Sequence, residues 1–251
     1  FFDSITLGII QGLTEFLPIS SSGHLVLGQS FLGINQTGNE FEILVHMGTL
    51  TSILYVFFND IRELLLSIKS IKTQRYIFFI FIATVPAVVV GFGLKDIIET
   101  FFDNLFVVGL ALIFTGFILL VSSYFRKIDI KQNYFHSFII GIAQAIAIIP
   151  GISRSGMTIS CALFFGINPK QAARFSFLLA IPVITGAGLL LLLDLNNSFQ
   201  LEPSIALGGF ISSFLIGVMS LKWLIGLLEN GKFHYFGLYC ITIGICTLYL
   251  I

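Results

Sequence analysis

The chain has 251 residues, of which 56% are hydrophobic and only 10% charged, and its formal net charge is zero. A soluble protein carries roughly 25% charged residues, so a mean hydropathy of +0.99 excludes a large soluble helical bundle. The balanced charge gives no basis for a nucleic-acid partner, and the three cysteines, Cys161, Cys240 and Cys246, lie in apolar runs that read as packing rather than a disulfide or metal set.

In chain order, Ile5–Leu17 is an apolar run, Pro18–Gly23 a Pro/Ser/Gly break, and His24–Leu32 a second short run. The first run holds Gln11 and Glu15 and lacks a basic start, which does not fit a cleavable signal peptide. Glu42–Phe58 follows, then a basic connection over Asn59–Arg75, then the long runs Tyr76–Leu94 and Leu105–Tyr124. After a second basic connection, Phe135–Ile149, a break at Pro150–Gly156 and Met157–Gly166 repeat the opening pattern. Phe175–Leu193, Ile205–Leu221 and Tyr235–Ile251 complete the chain. Each long run is near the roughly 20 residues a helix needs to cross hydrocarbon.

The two broken segments are copies. At a constant offset of 133, Gln11 falls on Gln144, Ser20 on Ser153, Ser22 on Ser155, Gly23 on Gly156 and Gly33 on Gly166. Phe81–Gly93 also resembles Phe177–Gly188, with Pro86 against Pro182, which leaves 41–74 as extra material in the first half. Basic and acidic connections alternate. Eleven of the thirteen Lys and Arg residues lie in four connections, and Glu40, Glu42, Asp96, Glu99, Asp103, Asp194 and Glu202 lie in the others. The positive-inside rule puts the basic set in the cytoplasm. With both its neighbours inside, the segment 135–166 must enter and leave on one side. The same reasoning makes 5–32 a hairpin from the opposite side. The predicted fold is therefore an all-α integral membrane protein with an inverted-topology repeat, two re-entrant helical hairpins and about six full spans. One transmembrane domain covers 1–251, with repeat 1 over 1–125 and repeat 2 over 133–251.

The breaks hold the rare intramembrane charges, Glu15, His24 and Arg154. Spacing i, i+4 places Gln11 and Glu15 on one helical face, and a carboxylate at membrane depth needs a metal, a proton or a cationic partner. Ser20, Ser21 and Ser22 precede a short helix starting near Gly23, and a helix start with free N–H groups suits an oxyanion. His24 is a candidate acid/base or nucleophile. In the second break Arg154 matches two phosphate oxygens bidentately, and Ser153, Ser155, Gly156 and Thr158 supply further donors. Thr158 is equally suited to back-bonding within its own helix. His46, one turn from Glu42, reads as interfacial; His136 and His234 read as solvated. This set supports phosphoryl hydrolysis at a membrane and, equally, a lipid-carrier flippase or an anion transporter.

GLTEFLPISSSGHL (12–25) and PGISRSG (150–156) closely resemble the two signature regions of the bacterial bacitracin-resistance (BacA/UppP) family of undecaprenyl-diphosphate phosphatases. The likeness covers essentially the whole chain. It implies hydrolysis of undecaprenyl diphosphate to the monophosphate carrier lipid for cell-wall synthesis, a multi-pass protein of the bacterial cytoplasmic membrane, and a site open to its outer face. It implies a divalent cation, Mg²⁺ or Ca²⁺, with Glu15 as its main ligand and Gln11 where many members have Glu. Ser21 matches the position proposed as nucleophile, activated by His24 in one mechanism, and His24 itself is the nucleophile in the other. Arg154 matches the phosphate-binding arginine, with Ser153 and Ser155 flanking it. Ser22 stands where many members have Thr. A homodimer is left open.

Overall fold

The computed structural model describes residues 1–33, 39–125, 129–194 and 201–251. Parts of three sequence-level assignments lie outside the described residues: the turn after Gly33, Arg126 and Lys127 of the second basic connection, and the start of the connection that follows Asp194. Every element among the described residues is a helix. In order they are α1 (Phe2–Thr14), α2 (Ser21–Leu32), α3 (Asn39–Val56), α4 (Phe58–Leu66), α5 (Ile71–Gly93) and α6 (Lys95–Phe102). Then come α7 (Leu105–Ser123), α8 (Tyr134–Ile146), α9 (Arg154–Phe164), α10 (Pro169–Asp194), α11 (Pro203–Glu229) and α12 (His234–Leu250).

Four of these, α5, α7, α10 and α11, are long and apolar enough to cross a membrane, and α3 with α4 makes a fifth if the pair, bent by 67°, is one span. Their outer faces carry large exposed side chains, among them Phe81, Val89 and Phe92 of α5, Phe117 of α7 and Leu215 and Met219 of α11. A water-soluble surface does not expose apolar area on that scale. The interior combines a hydrophobic core, with Phe16, Phe175 and Phe177 fully buried, and small polar side chains, among them Ser52, Thr115, Ser176, Ser213 and Ser220. Small residues let backbones approach closely, as in membrane helix pairs. A Cβ on Gly116 of α7 would stand 2.5 Å from the Gly237 carbonyl of α12, and one on Gly12 of α1 would stand 2.6 Å from the Ser213 carbonyl of α11.

The packing is crosswise. α1 lies on α11, α8 on α5, α3 on α10, and α7 on α12. Each hairpin therefore rests on a long helix from the other half of the chain.

Side-chain contacts sort the helix ends. Arg75, at the start of α5, lies 5.3 Å over the Tyr134 ring at the start of α8. Phe125, after α7, packs on Phe164 at the end of α9, with ring centroids 4.7 Å apart. Lys170 pairs with Glu229 at 3.4 Å, and Arg174 with Asp60 at 2.5 Å. These residues share one end of the bundle, rich in Lys and Arg. At the other end Gly208 of α11 lies against Phe1 and Ser4, and Gly209 against Phe41 of α3.

The α8–α9 hairpin is closed at its base. Ile130 N–H donates to Gly166 C=O at 3.1 Å, and His136 stacks on Phe165 with centroids 4.5 Å apart. The hairpin thus leaves from the end at which it starts. Its 13-residue first helix is ~20 Å long, too short for a ~30 Å hydrocarbon layer.

Several sequence-level boundaries are corrected. α1 ends at Thr14 rather than Leu17, and α2 begins at Ser21 rather than His24. α9 begins at Arg154, so Arg154, Ser155 and Gly156 form a first helical turn instead of belonging to the break. The connections expected over 59–75 and 95–103 contain α4 and α6. Both are short helices with polar and apolar residues interleaved, and their charges disguised them as loops. Lys222 lies within α11, and His136, against Phe165, is partly buried rather than solvated.

Candidate active site

The tips of the two hairpins meet. Ser20 and Ser153 play the same local role: each caps the helix after it by accepting from the backbone N–H three residues on, Gly23 at 3.3 Å and Gly156 at 3.1 Å. Each lies about one hydroxyl contact from its second neighbour, Ser22 at 3.3 Å and Ser155 at 3.2 Å. Ser20 also accepts from Gly151 N–H at 3.1 Å, and Ser155 donates to the Leu17 carbonyl at 3.3 Å, so the caps stitch one tip to the other. The close approach needs Gly23: a Cβ there would stand 3.0 Å from Gly151 Cα. Ser20 takes φ 70° to reach both partners, a conformation that costs a non-glycine residue and persists where surroundings enforce it. Thr115 completes the brace, donating to Gly151 C=O at 3.0 Å and accepting from Ser153 N–H at 3.1 Å.

On this scaffold one carboxylate gathers four groups. Glu15 caps the end of α1 and is 7% exposed. Its Oε1 pairs with Arg154 Nη2 at 2.6 Å. Its Oε2 accepts from Gln11 Nε2 at 3.0 Å and from Ser21 Oγ at 2.6 Å. His46 Nε2 lies 4.0 Å from the same oxygen. An intramembrane carboxylate without such partners would be strongly disfavoured. Within this network two polar atoms are buried with no hydrogen-bond partner among the described residues: Arg154 Nη1 and Gln11 Oε1. A desolvated guanidinium N–H is a strong unmet donor, and it sits at the N-terminus of α9, where the helix dipole adds positive potential.

Of the expected site residues, Gln11, Glu15, Ser21 and Arg154 thus form one network. Ser20, Ser22, Gly23, Ser153, Ser155 and Gly156 build the two caps and the braces between them. Thr158 has its back-bonded form: it is buried, donates to Arg154 C=O at 2.8 Å and lies 2.6 Å from Ser176 Oγ.

The expected Ser21–His24 pair is not formed. His24 Nδ1 turns back onto the Ser20 carbonyl, 2.8 Å away on the preceding turn, and Nε2 meets Tyr239 Oη at 2.9 Å. Ser21 instead donates to Glu15. His46 stands beside the network, its Nε2 4.0 Å from the Glu15 carboxylate and its Nδ1 2.8 Å from the Glu42 carbonyl. Its location on α3, one turn beyond Glu42, was visible in sequence, but its neighbour 31 residues away was not. Tyr239, on α12, was missed altogether, because a lone tyrosine in an apolar run carries no sequence signal.

The family model for bacitracin resistance protein BacA matches residues 4–246. The undecaprenyl-diphosphatase of Syntrophotalea carbinolica is 40% identical, with 97% of this chain and 96% of that protein covered. The undecaprenyl-diphosphatase of Christiangramia forsetii is 41% identical, covering 98% and 97% of the two chains. Undecaprenyl-diphosphatase 1 of Bacillus cereus is 39% identical, covering 97% and 95%. Similarity of this extent, running through both hairpin tips, places the chain in the BacA family.

Proposed function

We propose that the chain hydrolyses undecaprenyl diphosphate to undecaprenyl phosphate and inorganic phosphate. Membership of the BacA family, and the undecaprenyl-diphosphatase names of its relatives, support the substrate. The observation that carries the chemistry is the hydrogen bond from Ser21 Oγ to a Glu15 carboxylate that is itself paired with Arg154. A nucleophile and a phosphate-binding cation thereby share one carboxylate, the base.

In this reading the terminal phosphate enters against Arg154, whose unpaired Nη1 and α9 N-terminus receive its oxygens. Ser21 Oγ attacks the terminal phosphorus as its proton passes to Glu15 Oε2. The bond from phosphorus to the bridging oxygen breaks, and the lipid monophosphate leaves. Water then attacks the phosphoserine and the bond from phosphorus to Ser21 Oγ breaks; the proton held by Glu15 returns to Ser21 Oγ, and the water's own proton leaves with the phosphate. Phosphoryl transfer depends mainly on positioning and charge stabilisation, and both tips contribute: one orients the nucleophile, the other neutralises charge.

A divalent cation fits this site as a shared ligand rather than a caged one. Among the described residues no three of His, Cys, Asp and Glu cluster to enclose a metal. Glu15 and the unpartnered Gln11 Oε1 offer the oxygen ligands a hard cation prefers, and Mg²⁺ commonly completes its shell with substrate phosphate and water. When bound, Mg²⁺ or Ca²⁺ would neutralise phosphate oxygens.

We infer further that the halves form an inverted repeat, supported by the matched caps and the crosswise packing. In that reading α3 corresponds to α10 and α5 to α11, so Pro86 and Pro182 do not occupy corresponding helices. The Lys- and Arg-rich end faces the cytoplasm by the positive-inside rule, and α1 and α2 enter from the outer side of the cytoplasmic membrane. The same architecture serves transporters, but a pure carrier has no use for Ser21 bonded to a base. The test is phosphate release from undecaprenyl diphosphate in detergent, with and without EDTA. Release that requires the cation supports the reading. No release from a folded preparation that binds the lipid would move it to a carrier.

A further inference from the structure

The steps above move no proton through the His24–Tyr239 pair, but His24 stands in the first turn of α2, three residues from Ser21, so the seat of its ring bears on the turn that orients the nucleophile. Ser20 C=O can only accept, so the 2.8 Å contact to His24 Nδ1 places a proton on Nδ1. In the neutral ring Nε2 is then an acceptor, and the Tyr239 hydroxyl 2.9 Å away is its donor. The two rings are nearly parallel, with an interplanar angle of 12° and centroids 5.6 Å apart. Both coordinates of the imidazole, its tautomer and its plane, are therefore set by Ser20 on one side and Tyr239 on the other.

Tyr239 is itself held in place. α12 is locked onto α7 by the Gly116–Gly237 and Gly109–Gly244 approaches. The next residue, Cys240, is fully buried and its Sγ lies 3.6 Å from the Pro18 carbonyl in the turn of the first hairpin. Tyr239 is 41% exposed, so it does not fill a core. A tyrosine that only marks the membrane interface turns its hydroxyl to water or headgroups. This one turns it to a histidine 215 positions away in sequence.

We propose that Tyr239 is a positioning residue for His24: its phenol donates to Nε2, fixing the ring's tautomer and plane beside the hairpin tips. The kinetic part of the proposal rests on the hydrolase reading; the tautomer part does not. The minimal variant is Tyr239→Phe, which deletes one hydroxyl and keeps the stacked ring. Two readouts separate positioning from a structural role. In protein labelled with ¹⁵N-histidine, with the His24 signals assigned by their loss in His24→Gln, the wild type should show a protonated Nδ1 and a hydrogen-bonded Nε2. Tyr239→Phe should shift Nε2 and leave the melting temperature unchanged. In phosphate release, Tyr239→Phe should lower kcat about tenfold, the upper range of one hydrogen bond, with KM unchanged, and should add nothing in a His24→Gln background. An unchanged His24 spectrum in Tyr239→Phe, or an equal loss of rate in both backgrounds, overturns the proposal. A wild type that releases no phosphate overturns the hydrolase reading instead, and the histidine spectrum then decides alone.

Discussion

The two hairpin tips share a scaffold and differ in chemistry. At the offset of 133, Ser20 and Ser153 cap in the same way, and Ser22 and Ser155 flank them alike. The positions between and around them diverge. Ser21 stands opposite Arg154, Glu15 opposite Ile148, and His24 opposite Met157. Gln11 bonds Glu15, whereas its counterpart Gln144 donates to the Ala83 carbonyl of a neighbouring helix at 3.2 Å. The repeated residues are those that build a helix start and join the tips. In the proposed mechanism the unrepeated ones supply a nucleophile and base on one tip and a cation on the other. In the proposed inverted repeat, the shared positions supply two converging helix N-termini and the divergent ones make the site asymmetric, which suits a reaction with distinct attacking and leaving oxygens.

That contrast can be broken at its unrepeated positions. The largest effect is expected for Arg154→Ala, which leaves Glu15 buried and without its cation. The loss should be about 3–5 kcal/mol of transition-state stabilisation, read as kcat/KM for phosphate release. Arg154→Lys keeps the charge but not the two-pronged fork and should recover only part of it. Comparable in size is Ser21→Ala, expected to cut turnover by roughly a thousandfold or more if removing the nucleophile leaves only electrostatic catalysis and binding, with the thermal melt unchanged. Rapid quenching with substrate labelled in its terminal phosphate should place the label on Ser21. Label on His24 would reassign the nucleophile.

Mutating the repeated positions sharpens the same comparison from the other side. Ser20→Ala and Ser153→Ala each remove a cap and should cost about 1 kcal/mol of stability, more for Ser20 because it also satisfies Gly151 N–H. Thermal melting in detergent would check this, and similar losses at both tips would mark a shared structural role. The smallest effect is expected for His46→Gln, a severalfold change in rate, because His46 stands 4.0 Å from Glu15 and does not hold it directly.

Much of this site was legible in the sequence because it lies in two short, punctuated stretches. Pro18, the serines and Gly23 announce a break and a helix start, and intramembrane Glu15 and Arg154 had to find partners. Only the fold could supply which partner each took. Ser21 and His24 lie within one turn of α2, which suggested a direct pair, yet the imidazole satisfies Nδ1 on its own helix and Ser21 looks across the turn to Glu15. His46 and Tyr239 reach the tips from α3 and α12, contacts with no local pattern behind them. α4 and α6 were hidden for another reason: interleaved charges in short helices look like connections until a neighbouring surface gives their apolar side somewhere to lie.

The most direct test of the asymmetric site is a side-by-side measurement of phosphate release from undecaprenyl diphosphate by wild type, Ser21→Ala and Arg154→Ala, each with its melting temperature. The account predicts cation-dependent release by wild type, loss in both variants, and a folded Ser21→Ala protein. Near-wild-type turnover in folded Ser21→Ala or Arg154→Ala would contradict it.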